Sequence, residues 1–245
     1  MITKIKIALV AALEREVRPL VKRWRTVERE HEGRRYKFFE SEQAVLVCGG
    51  IGAEAARRAT EAVIALYAPE LVNSVGFAGA LDPALKVGDI FSPGSVIDVR
   101  DGSSVETGAG QGVLVSAASV AGAEQKKSLA ASYGAQAVDM EAAAVARGAQ
   151  ARGIGFVAVK VISDESTFEM PSLDRFVGRD GHFCETTFAA SLVVQPWLWS
   201  KFWHLARNSA KASRALCAEL ERSINQLEAL EEPGRHLHPI AKAAN

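Results

Sequence analysis

The chain has 245 residues, of which 48% are hydrophobic and 24% charged, and this suffices to bury a sizeable core in one main domain. Lysine plus arginine equal aspartate plus glutamate at 29 each, so the overall charge gives no basis for nucleic-acid binding. The three cysteines, Cys48, Cys184 and Cys217, are widely spaced, which favours reduced thiols in a cytoplasmic protein over disulfides or a zinc site.

The predicted elements alternate between strands and helices from the N-terminus onward. We expect strands at 5–11, 37–39, 44–48, 71–77, 90–99, 113–115, 136–138 and 156–162. We expect helices at 14–24, from 53 to near 67, at 124–132, after 141 and at 186–194, with a glycine-rich loop at 102–112 and a turn near Pro171. This alternation predicts an α/β fold in which a central sheet lies between helices on both faces.

The C-terminal segment has a character of its own. The sequence contains no run of about 18 apolar residues that could span a membrane. The pattern of residues from about 197 to 230 predicts a basic amphipathic helix, which completes a single domain over 1–230. Three tryptophans near its start, at 197, 199 and 203, suggest contact with a membrane surface or with a lipophilic ligand. The alternative is a helix packed on the body with a solvated basic face. We expect the tail 231–245 to be disordered.

Two acidic segments carry the chemistry of the sequence. Residues 138–141 read Val-Asp-Met-Glu and open an alanine-rich helix, whose first N–H groups favour a carboxylate such as Glu141. Asp164 ends a buried strand, and ligands of α/β proteins collect at the carboxyl ends of strands. Glu141 could instead serve only its own helix, and Asp164 only a turn. Their placement at both ends of a strand–helix–strand unit favours one shared crevice.

A third acid follows the first strand. Glu14 and Glu16 lie two residues apart, so at most one of them can face that crevice. Three clustered carboxylates cannot all stay ionised cheaply, so at least one pKa should be raised. Such a cluster suits a leaving group that needs a proton and a sugar whose hydroxyls must be held. The glycine-rich turn at 49–52 could cradle a phosphate or could simply join a strand to a helix.

Five motifs in order resemble the purine nucleoside phosphorylase and uridine phosphorylase superfamily, which includes the methylthioadenosine/adenosylhomocysteine nucleosidases. They are Leu-Glu-Arg-Glu-Val at 13–17, Gly-Ile-Gly at 50–52, the paired segments 76–81 and 86–90, Val-Asp-Met-Glu-Ala at 138–142, and Val-Ile-Ser-Asp at 161–164. The resemblance implies a three-layer α/β/α fold around a mixed, partly barrel-like sheet. Segments 174–177 and 196–199 look most like the branch of hopanoid-biosynthesis-associated phosphorylases.

The resemblance also implies roles for particular residues. Glu141 would bind the ribose 2′- and 3′-hydroxyls, and Met140 would pack under the sugar. Asp164 would protonate the purine at N7 as it departs, and Ser163 would steady that acid. Glu16 is similar to the residue that activates the attacking water in the nucleosidase branch.

The sequence departs from the nucleosidase pattern at three positions. Phe77 stands where a serine lies next to the nucleophile, although Ala78 and Gly79 beside it still match the substrate-binding segment. Lys160 replaces an arginine and could contact phosphate or the nucleophile, or pair with Glu16. Val120 is the best candidate where an aromatic residue stacks on the base. Arg100 is a further candidate for contact with phosphate.

These observations predict cleavage of the N-glycosidic bond of a purine nucleoside, and they favour one with adenine and a large or apolar 5′ substituent. An adenosyl-lipid such as adenosylhopane would fit, with water or phosphate as the acceptor. A methylthioadenosine/adenosylhomocysteine nucleosidase is one alternative, and an inactive nucleoside-binding protein is another. We expect no cofactor beyond phosphate as a co-substrate, no metal, no nucleic-acid partner, and a cytoplasmic homodimer.

Overall fold

One mixed sheet of eleven strands organises the protein, which we describe from a computed structural model covering residues 5–168 and 199–231, with side chains over 5–168 and 206–226. The strands are β1 (Ile7–Ala11), β2 (Arg25–His31), β3 (Arg34–Glu40), β4 (Ala44–Cys48), β5 (Leu71–Ala80), β6 (Ile90–Phe91), β7 (Ser95–Asp98), β8 (Ser104–Glu106), β9 (Val113–Ser116), β10 (Ala137–Asp139) and β11 (Gly155–Asp164). The helices are α1 (Glu14–Val21), α2 (Ala53–Tyr67), α3 (Ala123–Tyr133), α4 (Ala142–Gln150) and α5 (Trp199–Glu231).

The strand order is β2-β3-β4-β1-β5-β10-β9-β7-β8, and β11 joins the sheet through β5 and β6. Strand β5 is the branch point, because it pairs in parallel with β1 and β11 and antiparallel with β10. The carboxyl ends of β1, β5 and β11 therefore point to one edge, and β10, which pairs antiparallel with the last residues of β5, brings the start of α4 to the same edge. In α/β proteins this edge is the usual place for a ligand.

Helices cover both faces of the sheet, and β1 shows why. Ala8 and Val10 of β1 belong to one apolar core together with α2 and α4. Ile7, Leu9 and Ala11 point the other way, into a second core formed with α1 and α5. Because alternate residues of a strand face opposite sides, an unbroken apolar run predicts burial on both faces. The predicted α/β fold with helices on both faces is confirmed.

Three local predictions were wrong. The helix that begins at Glu14 ends at Val21, and the chain continues into β2, a mostly exposed strand without an apolar face that would reveal it. The predicted strand 90–99 is two strands, β6 and β7, separated at Pro93, which has no N–H to donate to a ladder. The loop 102–112 contains the short strand β8. The helix predicted at 186–194, the turn near Pro171 and the tail from 232 lie outside the described residues.

Helix α5 packs on the body along residues 206–226. Its apolar side joins the second core through Ala212, Leu216, Cys217, Leu220 and Ile224. Within this stretch, the alternative of a helix packed on the body is therefore the one observed. The tryptophan side chains at the start of the helix lie outside the described part. Among the described residues, no helix has the length and apolar character that a bilayer crossing requires.

Candidate active site

A cavity of about 490 Å³ opens at the strand edge where β5, β10 and β11 end. Its wall includes every predicted site residue except Lys160 and the further phosphate candidate Arg100. The structure thus brings together residues from both ends of the chain, including two from α5. The wall is formed by Ala12, Leu13, Arg15, Glu16, Ile51, Val75, Gly76, Phe77, Ala78, Gly79, Ser119, Val120, Ala121, Lys126, Val138, Asp139, Met140, Glu141, Ser163, Asp164, Ala206 and Ser209.

Of the two acids Glu14 and Glu16, Glu16 faces the cavity. Residues two positions apart on a helix do not share a face, so Glu14 faces away from it. Burial, aided by the nearby negative charge of Glu141, raises the pKa of Glu16 from 4.5 to about 8, although Lys160 acts in the opposite direction. Glu16 Oε2 has no hydrogen-bond partner among the described residues. The absence of a side chain at Gly76 of β5 leaves space for this oxygen, because a Cβ at that position would lie 2.9 Å from it. The arrangement provides an unsatisfied carboxyl oxygen for a ligand.

Glu141 is held by backbone donors at the start of α4. Gly52 N donates to Glu141 Oε1 at 2.7 Å, and Met140 N donates to Oε2 at 3.3 Å. Gly52 has φ +93°, a conformation that favours glycine, so the turn is built to aim this N–H. The glycine-rich turn therefore orients a carboxylate in this structure, and nothing in it shows a phosphate site. Burial, aided by the negative charge of Asp139, raises the pKa of Glu141 to about 7.

Lys160 lies behind the cavity wall and pairs with Asp139. Its ammonium lies 2.8 Å from Asp139 Oδ2 and donates to Ser74 Oγ at 3.0 Å, and it is 1% exposed. Asp139 also accepts from Ser116 Oγ at 2.6 Å and from the N–H of Ala142 at 2.9 Å. The ion pair of Lys160 is therefore formed with Asp139, the first acid of the Val-Asp-Met-Glu segment, and not with Glu16 as expected. The expected contact with phosphate or the nucleophile has no support, since these partners hold Lys160 away from the cavity.

Asp164 lies at the end of β11, just after an irregularity in pairing. The register with β5 shifts between Ile162 and Asp164, so Ser163 is an extra residue in the strand. Such bulges re-aim side chains, and here both Ser163 and Asp164 face the cavity. Ser163 Oγ donates to Asp164 Oδ1 at 2.7 Å, as the family resemblance implied. Asp164 Oδ2 accepts from Lys126 of α3, a residue that the sequence analysis missed.

Lys126 and Lys160 each pair with one of the four acids that line the cavity. Asp139 and Asp164 each have a lysine as a direct partner. Glu16 and Glu141 have none within the described ion pairs, and theirs are the pKa values that rise. The prediction that one clustered carboxylate has a raised pKa is confirmed, and the structure assigns that property to the glutamates.

The remaining predicted residues complete the wall. Phe77, Ala78 and Gly79 line it from β5, and Val120 and Met140 line it from the loops after β9 and β10. The cation predicted as a further phosphate candidate, Arg100, instead donates to Asp98 Oδ2 at 2.7 Å and lines a separate cavity of about 110 Å³.

Two signals could have revealed the missed residues. Lys126 lies three positions before the buried Leu129, so both occupy the inner face of α3, where an unpaired lysine would be costly. Asp139 directly precedes the Met-Glu pair at a strand end, a position whose side chain must be buried. In both cases a charged residue on an inward face indicates a partner.

The fold and the motifs agree with a wider comparison. A family model described as the phosphorylase superfamily matches residues 6–121 and 107–180. The chain belongs to the phosphorylase superfamily. The predicted family is thereby confirmed, whereas the hopanoid-biosynthesis branch stays a prediction.

Relatives of this phosphorylase-superfamily protein include two 5′-methylthioadenosine/S-adenosylhomocysteine nucleosidases. The chain is 35% identical to the one from Marinomonas sp. over 95 residues, which cover 37% of this chain and 41% of that relative. It is 30% identical to the one from Actinobacillus succinogenes over 202 residues, covering 65% of this chain and 86% of the relative. The apo 5′-methylthioadenosine nucleosidase of Arabidopsis thaliana superposes with a TM-score of 0.71 at 18% identity, over 95% of this chain and 98% of that one. This likeness confirms the three-layer fold.

Proposed function

We infer that this protein cleaves the N-glycosidic bond of a purine nucleoside. The observation that carries the inference is the meeting of Glu16, Glu141 and Asp164, from three separate elements, at one cavity. Glycosidic cleavage passes through an oxocarbenium-like state. A site that stabilises it needs one group on the sugar hydroxyls, one on the nucleophile and one near the leaving base. The three acids supply one group for each task.

The sugar end of the site is Glu141. Its two oxygens are fixed by backbone N–H groups, which leaves further lone pairs for the 2′- and 3′-hydroxyls of ribose. Met140 lies beside it and offers a flexible apolar surface for the sugar ring. The ionised form of Glu141 is the better acceptor, so nucleoside affinity should increase as pH rises above about 7.

Water is the acceptor that the site favours. Lys160 lies behind the cavity wall and is engaged by Asp139 and Ser74, so it is not placed for a phosphate dianion, and Lys126 is paired with Asp164. Glu16 offers an unpartnered oxygen that can take a proton from water. Because a base must be deprotonated and the pKa of Glu16 is about 8, the hydrolytic rate should rise with pH through that value.

The substrate we propose carries adenine and an apolar 5′ substituent. Both curated relatives are named for adenosine derivatives with a 5′ thioether or sulfonium-derived group, which supports adenine. The wall of the cavity is mostly apolar, with Ile51, Val75 and Phe77 on one side and Ala206 of α5 on another. An adenosyl-lipid such as adenosylhopane is the extreme case of this class. Homodimer formation and membrane contact by the start of α5 stay predictions from the sequence.

Adenine release, followed by chromatography, tests the proposal. We expect wild type to release adenine from methylthioadenosine or from an adenosyl-lipid without phosphate, with the 5-substituted ribose, which keeps the methylthio or lipid group, as the second product. Glu16→Gln should lose activity at least a hundredfold, whereas Glu14→Gln, a half-exposed neighbour paired with Lys37, should match wild type. If adenine release requires phosphate, the reaction is phosphorolysis and not hydrolysis. Absence of release from every substrate would favour the nucleoside-binding alternative.

A further inference from the structure

The start of α4 is capped by side chains that lie outside the helix. The first four N–H groups of a helix have no partner further along it. Here Ala142 N donates to Asp139 Oδ2 at 2.9 Å, and Ala143 N donates to Ser116 Oγ at 2.9 Å. The next two N–H groups donate to the carbonyl oxygen of Glu141, at 3.0 and 3.1 Å. All four N–H groups therefore have acceptors.

The residue at the N-cap position of α4 is Glu141, yet its side chain does not cap the helix. An N-cap side chain normally accepts a hydrogen bond from the second or third residue of the helix. The oxygens of Glu141 accept instead from Gly52 and Met140, and the side chain lines the cavity. Because Ser116 and Asp139 serve the helix, the carboxylate of Glu141 stays available for a ligand.

The two capping side chains belong to a buried polar network. Ser116 and Asp139 are each 5% exposed, and they face each other in the register of β9 with β10. Ser116 Oγ donates to Asp139 Oδ1 at 2.6 Å, and Lys160 lies 2.8 Å from Asp139 Oδ2. A buried network whose members all have partners holds one arrangement of its side chains. It thereby fixes the backbone that carries Met140 and Glu141.

On the basis of the glycosidic cleavage inferred above, we propose that Ser116 and Asp139 are positioning residues for ribose. They cap α4 and so keep the carboxylate of Glu141 in the cavity. Without the Ser116 hydroxyl, the buried N–H of Ala143 loses its acceptor, which is costly. The carboxylate at the N-cap position relieves this cost when it turns toward the helix. The sugar hydroxyls then lose their acceptor, while the base end of the cavity keeps its contacts.

The test compares a ligand that carries the sugar with one that lacks it. Ser116→Ala should lower kcat/KM for methylthioadenosine about tenfold or more, because hydrogen bonds to a charged group are among the stronger ones. The inhibition constant of adenine, which has no sugar, should stay that of wild type. Both constants come from one preparation, so a loss of folded protein does not produce a difference between them.

Two further variants separate positioning from structural damage. Ser116→Thr keeps the hydroxyl and should recover most of the wild-type kcat/KM. Ser74→Ala removes a fully buried hydroxyl whose hydrogen-bond partner among the described residues is Lys160. Because it disturbs the same network away from the start of α4, any effect it has should change the kinetic constant and the adenine constant by the same factor.

Each outcome decides the role of the capping pair. An unchanged kcat/KM in Ser116→Ala, or equal losses in both constants, would overturn it. The same holds if Ser116→Thr binds adenine like wild type but is as impaired on methylthioadenosine as Ser116→Ala. If wild type cleaves no nucleoside, the proposed function fails by itself. Calorimetric binding of intact methylthioadenosine and of adenine then decides the positioning role, since only the nucleoside should bind more weakly to Ser116→Ala.

Discussion

Replacement of Glu16 by glutamine should stabilise the protein at alkaline pH while it removes activity. The pKa of Glu16 is about 8 in the fold against an ordinary value of 4.5. Between these values the folded protein keeps a proton that the unfolded chain has released. The free energy of unfolding therefore falls as pH rises through this window and levels off above about 8.

The size of the effect follows from the shift in pKa. At about 1.4 kcal/mol for each pKa unit, it amounts to an upper bound on the order of 5 kcal/mol between pH 4.5 and 9. Glu16→Gln has the same shape, so it still fits against Gly76, and it cannot ionise. Its free energy of unfolding should consequently vary less with pH than that of wild type, by a few kcal/mol across this window.

Urea unfolding at several pH values from 4.5 to 9 measures this difference. Glu14→Gln, on the same helix but half exposed, should follow the wild-type curve. The same pH dependence in wild type and Glu16→Gln would refute the assignment of a buried, proton-holding carboxyl to this position.

Three further predictions concern other contacts. Gly76→Ala should lower activity at least about tenfold and the free energy of unfolding by about 1–3 kcal/mol, because the new Cβ would lie 2.9 Å from an oxygen of the buried Glu16 carboxyl and φ at this position is +145°. Gly122→Ala places its Cβ in open space, so it should match wild type in the same adenine-release and denaturation assays. Lys160→Met should cost about 3–5 kcal/mol in urea unfolding, because it leaves a buried aspartate without its cation, whereas loss of the exposed pair in Lys37→Met should cost less than about 1 kcal/mol. Leu216→Ala should cost about 2–5 kcal/mol by thermal unfolding, since this α5 side chain is fully buried, and an unchanged melting temperature would contradict the packing of that helix on the body.

Much of the candidate site could be predicted from the sequence because its acids stand at element boundaries. The sequence places one carboxylate at the start of an alanine-rich helix and another at the end of an apolar strand, and strand ends are where ligands of α/β proteins collect. That both reach the same cavity also depends on the antiparallel pairing of β10 with the last residues of β5. The same logic failed at Lys160, whose cationic side chain has several acids within reach. Sequence separation does not rank those acids, and the ion pair forms with Asp139, the one that faces it across the buried interior.

The strand β2 and the residue Lys126 show two other limits. An edge strand with charged side chains on both faces has no periodicity to separate it from a loop. A lysine in a helix is usually solvated, and its burial depends on which face of α3 packs inward, a consequence of the whole assembly.

The sequence by itself determined the α/β class, the family motifs and the acids that gather at one strand edge, because these follow from local periodicity and element order. Only the tertiary structure decided which acids keep protons. Two lysines from distant parts of the chain reach Asp139 and Asp164, whereas Glu16 and Glu141 have no paired cation among the described residues. Protonation in an interior depends on desolvation and on neighbours a few ångströms away, and those neighbours are set by the fold.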